Sequence, residues 1–334
     1  RLFPKLLFPG RQQKHGEPKK LPFKCLPILD SINPINWYKV YKKIKQINPD
    51  LVIIQWWTTF LAPCTFKLLF WLKQFTKIKT CIYCQNVLPL EKRAVDKPLT
   101  KSVFSQADYF IALSTDEKNI LKKLKPKAKV EVMIEPTYEV QFTKKISKAT
   151  AKKQLNIKGN VALFFGFVRP YKGLKILLES LPEVLKKTDL TLLIVGEFWG
   201  SKKPYIELIK KLNLQKNVII IDDYVPDNKV YKFFSAADVC VLPYTHSTQS
   251  GILQVAYGYK VPVITTNCGS LKDIVKNNKT GYLVKPKDTK TLSTAIVNYF
   301  TQGKEKEFIA NILKEKDLFK WDSNKEDILF HGLK

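Results

Sequence analysis

Val161-Ala-Leu-Phe-Phe-Gly166-Phe-Val-Arg169-Pro-Tyr-Lys172-Gly173 is the stretch on which the architecture turns. An unbroken apolar run ends at a glycine, a short loop carries two cations, and a second apolar-periodic segment opens after Gly173. A short continuous apolar run bounded by glycine suits a strand buried on both faces, as in a parallel sheet. Glycine lets backbone approach a ligand closely, and a helix N-terminus adds free N–H groups with partial positive charge. Arginine can grip a diphosphate with two donors, while lysine acts as a mobile point charge. Strand, Gly166, Arg169, Lys172 and helix start together describe an anion site. The plainer alternative is a solvated basic turn.

Working outward, β-rich apolar runs alternate with amphipathic stretches, the pattern of parallel α/β sheets. Behind the opening stretch the expected strands are Val161–Phe165, Leu190–Val195, Val218–Ile221, Val239–Leu242, Val261–Thr265 and Tyr282–Val284. Ahead of it they are Leu51–Gln55, Thr80–Gln85, Tyr109–Leu113 and Lys129–Ile134, with helices near Ile35–Ile47, Ala62–Phe75 and Thr115–Leu124. The pattern lapses between Glu135 and Gln154, the expected linker, with a helix near Lys148–Leu155. The expected fold is α/β: two Rossmann-like, doubly wound domains facing a central cleft, with a ligand at the carboxyl ends of the strands. The domains are residues 1–145 on the acceptor side and 146–315 on the donor side, with a helix in 316–334 packing back toward the first. A second helix start, Thr245-His-Ser-Thr-Gln-Ser-Gly-Ile-Leu-Gln254, follows strand Val239–Leu242. Ser250 and Gly251 open that helix toward the same crevice, or else form an ordinary N-cap.

The 334 residues allow two cores, and 45% hydrophobic content excludes a disordered chain. Residues 1–150 carry a net charge of +17 and the remainder +11, within a total of +28. Nucleic acid, an anionic membrane surface or phosphorylated substrates would each suit such charge, as would simply solvated helix faces. No nucleic-acid-binding module is visible, which argues against the first. The chain begins at Arg1, and Arg1–Lys24 lacks a signal-peptide pattern, so a missing N-terminus is expected. Cys81-x-x-Cys84 falls in a strand, where a spacing of three sends the thiols to opposite faces. The six cysteines are expected to be buried free thiols, and no metal site is expected. Leu51–Leu72 contains Gln55, Pro63 and Lys67, and suits a strand followed by a helix better than a membrane span.

The order Gly166…Arg169…Lys172-Gly173, Val195-Gly-Glu197, Ala236-Ala-Asp-Val-Cys-Val-Leu-Pro-Tyr244, Lys260-Val-Pro-Val-Ile264, Gly269 and Gly281-Tyr-Leu-Val284 resembles the family 4 glycosyltransferases. These are retaining GT-B enzymes that use nucleotide-activated sugars. In the front half, Leu29-Asp-Ser-Ile-Asn-Pro34, Asn48-Pro-Asp50, Trp56-Trp57 and Asn86-Val-Leu-Pro89…Glu91 look like a bacterial branch that builds surface polysaccharides or glycolipids. The resemblance implies that a first strand, glycine-rich loop and helix, some tens of residues, are absent. By position it implies that Arg169 and Lys172 hold the donor diphosphate, although Phe167 stands where many members carry the arginine. Gly166 and Glu197 belong to the same site. Tyr224 and Val225, in Asp223-Tyr-Val-Pro226, would meet the base, and Gln249, Ser250, Gly251 and Ile252 the sugar and phosphate.

Two glutamates usual in the family fall on Ser247 and Val255, which leaves Gln249 or Gln254 to hydrogen-bond in their place. The front-half His-Asn of the family is Gln85-Asn86 here. The resemblance implies a metal-independent, cofactor-free transfer from a nucleotide-diphosphate sugar to a glycan or lipid-linked acceptor, by front-side attack. The implied location is cytoplasmic, with the option of peripheral attachment to the inner face of the cell membrane. For that attachment, Phe60, Phe66, Leu69, Phe70, Leu72 and Phe75 beside Lys67, Lys73, Lys77 and Lys79 offer a lipid-facing helix or, equally, one packed on the sheet. The alternative to an enzyme is a catalytically impaired homologue that binds a nucleotide sugar.

Overall fold

The computed structural model describes residues 25–89, 93–134, 146–315 and 323–330. The expectations for Arg1–Lys24, Glu91, residues 135–145 (with the domain boundary at 145) and residues 316–322 and 331–334 lie outside the described residues. The chain forms two compact units, one up to Met133 together with the last helix, the other from Ile134 to beyond Glu315.

The first unit holds α1 (Pro34–Ile47), β1 (Leu51–Trp56), α2 (Ala62–Phe75), β2 (Lys79–Cys84), α3 (Asp96–Phe104), β3 (Tyr109–Ala112), α4 (Thr115–Leu124) and β4 (Lys129–Val132). Its strands pair in parallel in the order β1-β2-β3-β4. Local chemistry sets the helix ends. The Asn33 side chain accepts from the amides of Ile35 and Asn36 ahead of Pro34, and Asn48 closes α1 in the left-handed region. Ser114 caps α4, with acidic residues in its first turn and lysines in its last, matching the helix dipole. Cys81 packs with Tyr109, Ile111 and Met133, and Cys84 with Trp56, Phe104 and Phe110, so the thiols do face opposite sides of β2. Burial pushes the Cys81 thiol up to about 12 and that of Cys64 to about 11. Two cysteines depart from expectation: Cys25 is exposed and Cys268 half-buried.

Leu51–Leu72 divides between β1 and α2, and among the described residues no helix is long and apolar enough to cross a membrane. Along α2, Leu69 joins the sheet core while Leu72 packs with Trp37, Val40 and Tyr41 of α1. Phe66 and Phe70 are half-buried and stack on each other at 6.2 Å, leaving Phe75 and the four lysines exposed. Most of the apolar face once offered to lipid is therefore spent on packing.

The second unit holds α5 (Lys148–Gln154), β5 (Asn160–Phe165), α6 (Leu174–Leu185), β6 (Leu190–Val195), α7 (Lys203–Lys211), β7 (Val218–Ile221), α8 (Val230–Ala236), β8 (Val239–Leu242), α9 (Gly251–Gly258), β9 (Val263–Thr266), α10 (Gly269–Ile274), β10 (Gly281–Val284), α11 (Thr289–Thr301) and α12 (Glu305–Lys314). The six parallel strands run β10-β9-β8-β5-β6-β7. Ala162 and Phe164 face one core, and Val161, Leu163 and Phe165 the other, which is why β5 reads as uninterrupted apolar sequence. Strand order reverses between β5 and β8, and there the ladder is short. Only Ala162↔Val239 and Leu163↔Cys240 pair, against six positions between β5 and β6. The strands part beyond those two pairs, and a doubly wound sheet places its ligand crevice outside the carboxyl ends at such a switch point. At the opposite end Asp238 accepts from the Val161 amide at 2.7 Å and pairs with Lys148 and Lys152 at 2.7 and 2.8 Å. The last helix of the chain, α13 (Ser323–Phe330), belongs to the first unit, where Ile328 packs beside Cys81 and Tyr109.

Candidate functional site

At the end of β5 the chain stays bound to the neighbouring loop. The Gly166 amide donates to Val195 O at 2.9 Å, the Val168 amide to Glu197 O at 2.9 Å, and the Trp199 amide to Val168 O at 3.1 Å. Pro170–Lys172 then form a 3-10 turn that ends on Gly173 at φ +72°. A Cβ at Gly173 would stand 1.9 Å from Pro243 O, so only glycine lets α6 start this close to the chain leaving β8. The two loops are also tied by Thr245, whose amide and hydroxyl donate to Tyr171 O at 2.7 and 3.2 Å.

Between the loops that follow β5, β6 and β7 and the first turns of α9 lies a hollow of about 230 Å³. Gly166, Lys172, Glu197, Tyr224, Val225 and Ile252, all singled out from sequence, line it. It brings the cationic turn and the start of α9 to one place: Lys172 Nζ lies 3.0 Å and the Ile252 side chain 3.5 Å from where a Gly166 Cβ would be. Lys172 is only 9% exposed. Burial, and then the neighbouring Arg169 charge, pull its ammonium down to about 8, with Cys240 opposing. Its Nζ also sits 5.5 Å over the Tyr244 ring. A buried cation of this kind is poised for an anionic ligand.

The other expected residues are not on the wall of the hollow. Arg169 places its guanidinium 5.4 Å from both the Tyr171 and Trp199 rings. Ser250 is the N-cap of α9, yet its side chain makes no capping bond, and its Oγ lies 3.4 Å from Tyr244 Oη. The ordinary N-cap alternative is therefore not what the hydroxyl does. Gly251, the first residue of α9, has open space where a Cβ would be. Gln249 is half-buried with its Oε1 lacking a hydrogen-bond partner, and Gln254 is 3% exposed, turned into the core of the unit. Ser247 donates to Gln249 O at 3.1 Å, and Val255 lines the hollow. His246 is an exposed loop residue 3.1 Å from Thr245 Oγ1. Gln85 and Asn86 follow β2 in the first unit, where both backbone amides donate to the carbonyl of Trp56, the last residue of β1.

Sequence reasoning missed an aromatic wall. Phe167 packs 4.6 Å from Trp199 and lies nearly parallel to Tyr224 at 6.4 Å, and both Phe167 and Tyr224 line the hollow. Aromatic residues just past strand ends in three successive loops were the available signal. Among the described residues no group of three or more His, Cys, Asp and Glu is placed to hold a metal ion.

Residues 159–302 match the family model of the glycosyl transferases group 1. An uncharacterized glycosyltransferase of Methanocaldococcus jannaschii is 24% identical over 207 residues, covering 59% of this chain and 52% of that protein. The D-inositol 3-phosphate glycosyltransferase of Acidothermus cellulolyticus is 26% identical over 208 residues, 59% of this chain and 46% of its own length. The chain thus spans about half the length of the curated relatives it matches. Among solved structures, Anabaena Alr3699/HepE in complex with UDP-glucose superposes with a TM-score of 0.74 at 16% identity, over 89% of this chain and 81% of that one. Sucrose-phosphate synthase of Thermosynechococcus elongatus gives 0.70 at 20% identity, over 89% and 77%. Together with the two parallel sheets, these likenesses establish an α/β fold with two Rossmann-like domains of the GT-B glycosyltransferase type.

Proposed function

We propose that the chain moves a sugar from a nucleotide-diphosphate sugar to a glycan or lipid-linked acceptor, with retention at the anomeric carbon and without a metal or other cofactor. The observation that carries this reading is the buried Lys172 ammonium in a hollow at the switch point, between the Gly166 turn and the start of α9. The leaving diphosphate gains negative charge as the glycosidic bond breaks. Lys172 and the N-termini of α6 and α9 would stabilise that charge more than they stabilise the ground state, which is what accelerates a reaction. Arg169, three residues from Lys172, adds to the positive field. The Asp223–Val225 loop and the Phe167–Tyr224 wall suit a flat base. With no nucleophile of this chain assigned, retention is ascribed to front-side attack by the acceptor hydroxyl. The group 1 match and the likeness to a protein solved with UDP-glucose support the donor class.

Ser247 and Val255, standing where the resemblance expects carboxylates, favour a second reading, a homologue that binds the donor without turning it over. A thermal-shift series with UDP-, GDP- and ADP-glucose tests the site: one base should be preferred, and Lys172→Ala should abolish most of the shift. Release of the nucleotide diphosphate from the preferred donor then separates enzyme from binder. Absence of any shift would remove both. The acceptor side is proposed to work in the cytoplasm at an anionic membrane surface through the exposed lysines of α2. Sedimentation with anionic liposomes at low salt tests that, and no lipid dependence would end it.

A further inference from the structure

In a nucleoside diphosphate the ribose lies between base and phosphates, and the sheet of the second unit has its parts in the same order. The Gly166–Lys172 turn follows β5, the Asp223–Val225 loop follows β7, and β6 runs between them. Neighbouring strands stand about 4.8 Å apart, so the loop after β6 is central to a ligand spanning the other two. The acidic residue this loop contributes to the wall of the hollow is Glu197, only 4% exposed.

Its place is held from both sides. Gly196, at φ +145°, lies so near the first loop that a Cβ would stand 2.2 Å from Gly166 O. The Glu197 carbonyl accepts from the Val168 amide at 2.9 Å, and the next amide, Phe198, donates to Asp222 Oδ1 at 3.2 Å. The parts of α9 that line the hollow, Ile252 and Val255, have purely aliphatic side chains and accept no hydrogen bond from a sugar.

We propose that Glu197 is the residue by which the site selects a ribonucleotide: its carboxylate accepts hydrogen bonds from the ribose 2′ and 3′ hydroxyls. This rests on the nucleotide-donor reading above and adds the sugar specificity of that donor. Two adjacent hydroxyls match the two oxygens of a carboxylate, and a buried polar group left short of its partner penalises the analogue that lacks it.

Titration calorimetry with UDP, GDP and ADP and their 2′-deoxy forms tests this in the wild type, Glu197→Ala and Glu197→Gln. The wild type should prefer the ribose form of its base by about tenfold or more. In Glu197→Ala that ratio should fall to within about twofold; if circular dichroism shows this variant unfolded, the isosteric Glu197→Gln provides the test, with a ratio reduced at least about threefold. A purely structural glutamate would weaken both forms alike and leave the ratio intact. Equal wild-type affinity for the two forms, or an unchanged ratio in the folded variant, overturns the proposal while the donor site stands. If none of the six nucleotides binds, or if Lys172→Ala leaves every affinity unchanged, the donor reading itself falls.

Discussion

Donor binding should take up a proton at Lys172, and affinity should therefore decline above about pH 8. In the empty hollow, burial and Arg169 hold the ammonium near 8, against 10.5 for an ordinary lysine. A diphosphate beside it favours the charged form and raises the pKa again. Between pH 7 and pH 9 the protonated fraction of a group titrating at 8 drops from about 0.9 to about 0.1, so Kd should rise about tenfold, or ~1.4 kcal/mol. A nucleotide sugar is the right ligand, because its diphosphate has no terminal phosphate proton to lose over this range. Calorimetry in buffers of differing ionisation enthalpy counts the protons directly. Uptake should be about 0.1 at pH 7, about 0.5 at pH 8 and about 0.9 at pH 9. Lys172→Ala should bind weakly, with no slope and no uptake. A flat Kd from pH 7 to 9 in the wild type, or a slope that survives in Lys172→Ala, would refute the placement of this ammonium against the diphosphate.

The same depressed pKa carries a stability consequence of opposite sense. Between pH 8 and 10.5 the unfolded chain holds a proton that the folded chain has released, so ligand-free stability should rise with pH across that window. At pH 7 Lys172→Met should stabilise the empty protein by up to about 3 kcal/mol in urea unfolding, since it removes a buried charge. Gly173→Ala combines a left-handed φ with a Cβ 1.9 Å from Pro243 O, and should cost more than about 2 kcal/mol while weakening donor binding. Asp238→Ala leaves the Lys152 ammonium, 18% exposed, with the Gly159 carbonyl but no carboxylate, and the Val161 amide without an acceptor; a loss of about 2–4 kcal/mol should appear as a lowered urea midpoint. Trp56→Ala opens a cavity beside Phe104 and frees the Val87 carbonyl, and should cost about 3–5 kcal/mol.

Strands β3, β5 and β8 were legible because an apolar run buried on two faces leaves no polar residue to interrupt it, whereas β1, β2 and β4 mix polar and half-exposed positions. Gly166 and Lys172 were legible because the elements that bring them together are contiguous in sequence. The course of Arg169 was not. Its guanidinium lies as near to Trp199, thirty positions away on the loop after β6, as to Tyr171 two positions on, and the distant ring could not be read from local sequence. Gln254 looked available at the start of a helix, but the phase of α9 turns it inward, and phase follows from packing against β8 and β9 rather than from composition. Helix α3 escaped notice because Pro98 and five polar residues among its nine mask its periodicity, although proline is tolerated in a first turn. Cys25 was assumed buried from its apolar neighbours, and in fact lies outside any regular element.

The short ladder between β5 and β8 separates two tasks. Pairing there stops at Leu163 and Cys240, and beyond it β5 is held only by β6, to Phe165, and β8 only by β9, to Leu242. Side chains in the loops that follow β5 and β8 can then shape the ligand site while the paired strands below keep their ladders. Amide exchange should show slow protons through β5 and β8 and at the bonded loop amides of Gly166, Val168 and Thr245, and faster ones elsewhere in the loops after Phe165 and Leu242.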